Sequence, residues 1–288
     1  MKNNKVIPES LVLPNPAFIS DVGIRYIRNI TKLSKQAYDS AQNFTIKYGQ
    51  DERESIDIFV PDKIDKLLPV LVFFHGGYWL NGSKEIMGYL ARNILTIPMI
   101  FVTVGYRLAP KYKFPVALSD AKKAIVQVIK KIEKYGGNKS SLVISGHSAG
   151  GQIAVSLVLG KYLKDIIPES YIKLCAPISG VFNIYECPDF VKSNFIKNED
   201  DYLKASPLYW DIKSNTPVKN CKVPFLLTSS GFDFPNIKRD HELMLAKMKY
   251  YNYNVESLIE PNKNHFTLSL SLAKSNSQWL KIVKKFLD

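Results

Sequence analysis

The chain has 288 residues and a mass of 32.7 kDa, 46% of them hydrophobic and 23% charged, enough for one large α/β domain with a substantial core. No apolar run approaches the roughly 18 residues of a membrane span, so neither a transmembrane helix nor a membrane partner is expected. The net charge of +13 comes mainly from lysines spread along helical faces, as in "AKKAIVQVIKKIEKYGGNK" and "WLKIVKKFLD", where intervening apolar residues mark one buried and one solvated face; charge alone speaks to nonspecific attraction, and no nucleic-acid partner is expected.

The start, "MKNNKVIPESLVLPNP", is positively charged but has no apolar h-region, which points to a cytoplasmic protein. Residues 21–46 carry mixed helical periodicity, and 1–48 reads as an N-terminal helical segment. "ESIDIFVP" alternates like a partly exposed strand, and "LPVLVFFHGG" reads as a buried strand ending in glycines. A helix over 84–95 precedes the strand "MIFVTVGY". "YRLAPKYKFP", with two prolines, is a loop, and Asp120 opens a long amphipathic helix closed by Gly136-Gly137.

"SSLVISGHS" is the next strand and "AGGQIAVSLVLGKYL" a helix; "YIKLCAPISGV" and "VPFLLTSSGFD" are two further strands. Between those two the pattern loses regularity over 182–220, an insert holding Phe182, Tyr185, Phe190, Phe195, Tyr202, Tyr209 and Trp210. Such an insert either seals a secondary core or caps a substrate pocket. "YNVESLIEPNKNHF" is strand and turn, followed by a terminal helix. Alternating strands and helices imply a mostly parallel central sheet with helices on both faces, here in a single domain with a small cap insert. The three cysteines, Cys175, Cys187 and Cys221, lack metal-ligand spacing and fit inert packing, so no metal and no cofactor is expected.

Chemistry concentrates at Gly146-His147-Ser148-Ala149-Gly150, a G-x-S-x-G pattern where a strand turns into a helix. A serine in that sharp turn is pushed above the sheet edge, with Gly146 and Gly150 relieving the crowding. It needs a base, and the chain has four histidines. His147 adjoins the serine, where its position on the turn should direct the side chain away, His75 sits in a glycine loop that it braces, and His241 lies on a helix with Leu245 where a zinc motif needs a second histidine. His265, after the last strand, is placed to serve. Asp233 follows an apolar strand and orients the imidazole; Asp240, a few residues into the next helix, is its rival. The order Ser148, Asp233, His265 is that of an α/β-hydrolase fold. "FFHGGYW" supplies a glycine turn at Gly76-Gly77, and the N–H groups of Gly77, Tyr78 and Ala149 are candidate oxyanion donors.

The set resembles α/β-hydrolases of the hormone-sensitive-lipase-like clan, and within it the kynurenine formamidase (arylformamidase) group. "HGGYW" at 75–79 is similar to that group's oxyanion loop, "GHSAG" at 146–150 to its nucleophile turn, and "SPLYW" at 206–210 and "NHF" at 264–266 to its cap and base motifs. The resemblance spans roughly residues 50–288. It implies a cofactor-independent serine hydrolase for N-formylkynurenine or a similar aryl formamide. Tyr78 and Trp79 beside the oxyanion loop would narrow the acyl side, and Tyr209 and Trp210 would hold the leaving ring. "YRLAPKYKFPVALSDA" at 106–121 resembles instead the clan's carboxylesterases, although Tyr78 stands where those usually carry glycine. A short-acyl carboxylesterase therefore stays open, as does, more remotely, a non-catalytic ligand-binding protein. A homodimer also stays open.

Overall fold

A computed structural model of the protein describes residues 20–160, 162–210 and 221–287; residues 1–19 of the expected N-terminal segment and 211–220 of the expected insert lie outside them. In chain order the elements are α1 (Asp21–Ser40), β1 (Gln42–Lys47), β2 (Ser55–Val60), β3 (Leu68–Phe74), α2 (Ala91–Ile94), β4 (Ile100–Val104), α3 (Val116–Lys131), β5 (Gly137–His147) and α4 (Ala149–Leu159). They continue with β6 (Ile172–Ile178), α5 (Asp189–Phe195), α6 (Glu199–Ala205), β7 (Phe225–Phe232), α7 (Pro235–Tyr250), β8 (Val255–Asn264), α8 (His265–Leu272) and α9 (Gln278–Lys285).

One eight-stranded sheet runs β1-β2-β4-β3-β5-β6-β7-β8. β1 and β2 pair antiparallel, as do β2 and β4, and every later pairing is parallel. The run "LPVLVFF" shows how sequence builds two cores at once. Val70, Val72 and Phe74 pack on one face with α3 and α4, while Leu71 and Phe73 pack on the other with α1, α8 and α9, as the two-residue period of a strand requires.

Three local expectations change, the first being β2, expected partly exposed but buried at every residue between β1 and β4. The helical periodicity stops at Ser40, and 42–47 is a strand paired along its length with β2, Gln42 against Val60 and Lys47 against Ser55. It is a half-exposed edge strand whose Thr45 hydroxyl donates to Asp57 Oδ1 (2.6 Å). The expected helix over 84–95 is a 3₁₀ segment, Glu85–Leu90, leading into the short α2. Ser34 of α1 diverts this segment from a regular ladder: its hydroxyl donates to the Ile86 carbonyl (2.9 Å) and accepts from Tyr89 N–H (3.0 Å).

Candidate active site

β5 ends at His147 and α4 begins at Ala149, leaving Ser148 alone at the turn with φ 57° and ψ −119°. A serine at positive φ is strained by roughly 1–3 kcal/mol, so the surroundings must hold it. Its N–H donates to Ile178 O (2.9 Å), and its carbonyl accepts from Gly151 N–H (2.9 Å). The turn closes only because its flanks lack side chains. A Cβ on Gly150 would lie 2.1 Å from Phe74 O, and one on Gly146 2.4 Å from Gly150 O. α4 runs under the sheet with all eleven residues buried.

His265 is the first residue of α8, fixed by a capping box rather than set in a free turn. Asn264 Oδ1 accepts from the N–H groups of Phe266 (3.1 Å) and Thr267 (2.9 Å), and Thr267 Oγ1 accepts from Asn264 N–H (2.8 Å). Its Nδ1 lies 2.7 Å from Asp233 Oδ1. A carboxylate only accepts, so Nδ1 carries the proton and Nε2 is the free basic nitrogen. Asp233 Oδ2 also accepts from the hydroxyls of Ser179 (2.5 Å) and Ser230 (2.8 Å), and Oδ1 from Phe234 N–H (3.0 Å). Burial raises the Asp233 carboxyl, but the hydrogen bond and charge of His265 with the two serine hydroxyls outweigh it and hold the group well below the usual carboxylate range.

The rival, Asp240, is fully buried elsewhere. Its Oδ2 accepts from the N–H groups of Phe182 (2.7 Å) and Asn183 (2.9 Å), tying α7 to the insert. Burial pushes its carboxyl up to about 6. His241 bonds the Ser257 hydroxyl through Nε2 (2.9 Å), away from the site. Contrary to expectation, the His147 side chain does not turn away: it lines the cavity with Ser148, its ring 4.5 Å from that of His265, its Nε2–H donates to the His265 backbone carbonyl (3.0 Å), and burial holds its imidazole down at about 3.

The loop after β3 has three consecutive residues in the left-handed region: Gly77 (φ 119°), Tyr78 (55°) and Trp79 (60°). Only glycine fits the first, because a Cβ there would meet Asn81 O at 2.3 Å. Gly77 O accepts from Leu80 N–H (3.0 Å) and Asn81 N–H (2.9 Å), closing the turn. Among the described residues, the N–H groups of Gly77, Tyr78 and Ala149 donate to no backbone carbonyl. His75 braces the loop from within it: Nδ1 bonds Gly76 O (2.9 Å), and the ring stacks on Tyr106 at 4.1 Å. Burial lowers its imidazole to about 3, which keeps it neutral.

Ser148, His265, His147, Gly76, Gly77 and Tyr78 line one cavity of about 390 Å³. Three of the expected substrate contacts are not on its wall. Trp79 is 1% exposed and stacks on Phe195 at 4.1 Å, so it packs the core under the loop. Tyr209 is largely exposed and accepts from Asn183 Nδ2 (3.0 Å), while Trp210 Nε1 donates to Leu203 O (3.1 Å). Among the insert's described residues the aromatic that reaches the cavity is Phe190, edge-on to Tyr78 at 5.9 Å. The rest of the described wall comes from Ser20, from Tyr26 and Ile27 of α1, from Asn81 and Gly82, from Ile86 and Met87, and from Phe234 and Phe266. The last two directly follow Asp233 and His265 in sequence, a signal that was available; for Tyr26 and Ile27 there was none.

The "YRLAP" segment is structural. Tyr106 donates its hydroxyl to His75 O (2.8 Å), and Arg107 grips Asp120 through Nε (2.8 Å) and Nη2 (2.7 Å). The described cavity wall contains no residue from 106–121. Within the described residues no cluster of three or more metal-ligating side chains occurs, and no helix is long and apolar enough to cross a membrane.

The BD-FAE family model matches residues 56–218. The kynurenine formamidase of Danio rerio is 24% identical over 244 residues, covering 84% of this chain and 80% of that protein. The isoprenylcysteine alpha-carbonyl methylesterase of Arabidopsis thaliana is 28% identical over 78% of this chain and 57% of its own length. The hyperthermophilic esterase of Pyrobaculum calidifontis shares the fold with a TM-score of 0.74 at 21% identity, covering 91% of this chain and 90% of that one. The architecture is that of an α/β-hydrolase.

Proposed function

The chain belongs to the BD-FAE family, and from the geometry of its site we propose that it is a serine hydrolase working through an acyl-enzyme on an aryl formamide such as N-formylkynurenine. The observation that carries this reading is His265, bonded through Nδ1 to the buried Asp233, lining one cavity with a serine held at positive φ. Ser148 Oγ attacks the formyl carbon while its proton passes to His265 Nε2. The oxyanion is stabilised by the N–H groups of Gly77, Tyr78 and Ala149, each worth about 10²–10³ in rate by analogy with known oxyanion donors. As the C–N bond breaks, His265 returns the proton to the departing aryl nitrogen. Water, deprotonated by His265, then attacks the formyl ester; the C–Oγ bond breaks, Ser148 regains a proton and formate leaves.

The formamidase relatives and the mainly apolar, ring-lined wall support an aryl substrate. A short-acyl carboxylesterase with the same catalytic residues is the second reading, supported by the methylesterase relative. The "YRLAP" likeness adds little to it, since those side chains brace the loop instead of facing the cavity. A fluorophosphonate probe with formate release as the turnover readout tests the proposal. The wild-type chain should label at Ser148, and Ser148→Ala should lose labelling and at least about 10⁴ of the turnover. Substantial turnover surviving in that variant would falsify the assignment, and an unlabelled, inactive wild type would favour a ligand-binding role.

A further inference from the structure

Proton delivery fixes where the leaving group lies. In the mechanism above, His265 Nε2 hands its proton to the departing nitrogen or oxygen, so that atom sits within about 3 Å of the imidazole. Around that imidazole the cavity wall is aromatic and comes from three separate elements. The Phe234 ring, just past β7, is 4.8 Å from the His265 ring, and Phe266, on α8, is 5.5 Å away and nearly perpendicular to it. The two phenyl rings meet edge-to-face at 6.1 Å, and Tyr26 of α1 packs on Phe266 at 5.0 Å. Tyr26 is locked in place, because its hydroxyl donates to Ser269 Oγ (2.8 Å), which is itself bonded to the Tyr89 hydroxyl.

Two further features bear on what this corner takes. Phe234 keeps 38% of its surface exposed although it sits in a cavity beside the proposed base; a ring left open there gains by being covered by apolar or aromatic matter. The described wall of the cavity contributes no lysine, arginine, aspartate or glutamate side chain, so contact with ring surface, not ion pairing, is what it offers a ligand. Tyr78 of the proposed oxyanion loop and Phe190 of the insert form a separate ring pair on the cavity wall.

We infer that Tyr26, Phe234 and Phe266 form a leaving-group subsite selecting aromatic amine or phenol leaving groups over saturated ones. The inference rests on the Ser148–His265 reading above, and it moves the ring-binding role from the 182–220 insert to the residues flanking the proposed acid and base. Each ring contact that an aryl group makes beyond simple burial is worth roughly twofold to tenfold in kcat/KM.

The test is the ratio of kcat/KM for phenyl acetate to that for cyclohexyl acetate, which share an acyl group and differ in the ring that leaves. The ratio should fall about fivefold or more in Phe234→Ala and in Phe266→Leu, the second keeping apolar bulk so that the fold survives. Tyr250→Ala, at an exposed ring on the far end of α7, should leave the ratio unchanged. A labelled, active enzyme whose ratio stays within twofold in both subsite variants, or one that loses both esters in parallel, overturns the subsite alone. A wild-type chain that neither labels nor hydrolyses either ester overturns the serine-hydrolase reading and the subsite with it.

Discussion

Asp233 and Asp240 are both buried, seven residues apart in sequence, and differ in what they accept. Asp233 takes hydrogen bonds from an imidazole, two hydroxyls and an amide, so its charge is fully solvated by fixed donors. Asp240 takes two amides on one oxygen, and its Oδ1 has no partner among the described residues. Asp233→Asn should therefore cut kcat by about 10³–10⁴, because the amide neither stabilises the imidazolium nor fixes its tautomer, while Asp240→Asn should keep turnover within a few-fold. Steady-state kinetics on the two variants checks this, and exchanged effects would reverse the assignment. Asp240 also makes a prediction about pH. Its carboxyl is raised from 3.8 to about 6, so between those values the folded chain keeps a proton that the unfolded chain has lost. The contribution is fully present below pH about 4 and disappears as pH rises through 6, so the stability of wild type relative to Asp240→Asn should drop by about 2 kcal/mol between pH 4.5 and 7.5. Denaturant titrations of both proteins across that range would show it; a constant difference would contradict the buried-carboxyl account.

Elements of strong period are legible in the sequence. The buried runs around β3, β5, β6 and β7 reveal themselves by unbroken apolar stretches between turn residues, and Ser148 announces itself by sitting where one such run meets helical spacing. The boundary between α1 and β1 was not legible, since a half-exposed edge strand carries too little apolar alternation to interrupt the preceding helical pattern. Aromatic side chains were the other gap. Trp79 adjoins the proposed oxyanion loop in sequence, yet its ring is claimed by Phe195, a partner that only the folded chain brings near. Trp79→Ala should therefore act on the fold, costing about 3–5 kcal/mol in a denaturant titration as a large buried ring is deleted. A loss below about 1 kcal/mol would mean that the ring is not the core residue described here.

Across the whole molecule, the parallel strands from β3 to β8 bring residues far apart in sequence to one end of the sheet: the proposed oxyanion loop after β3, Ser148 after β5, Asp233 after β7 and His265 after β8. The family-like segment at 106–121 belongs to the support under that end, through Tyr106 on His75 and Arg107 on Asp120, which is why it speaks to the fold more than to the substrate. Choice of substrate falls instead to the cavity wall. On the formamidase reading a formyl group places only hydrogen beside the reacting carbonyl, whereas a longer acyl chain has to find room in the same cavity of about 390 Å³ or displace its wall, at a penalty of about 1–3 kcal/mol and hence about tenfold or more in rate. The most direct measurement is kcat/KM for N-formylkynurenine against kcat/KM for p-nitrophenyl butyrate on the same wild-type preparation. The formamidase account expects the formamide to be the better substrate; faster turnover of the butyrate ester would contradict it and leave the carboxylesterase reading in its place.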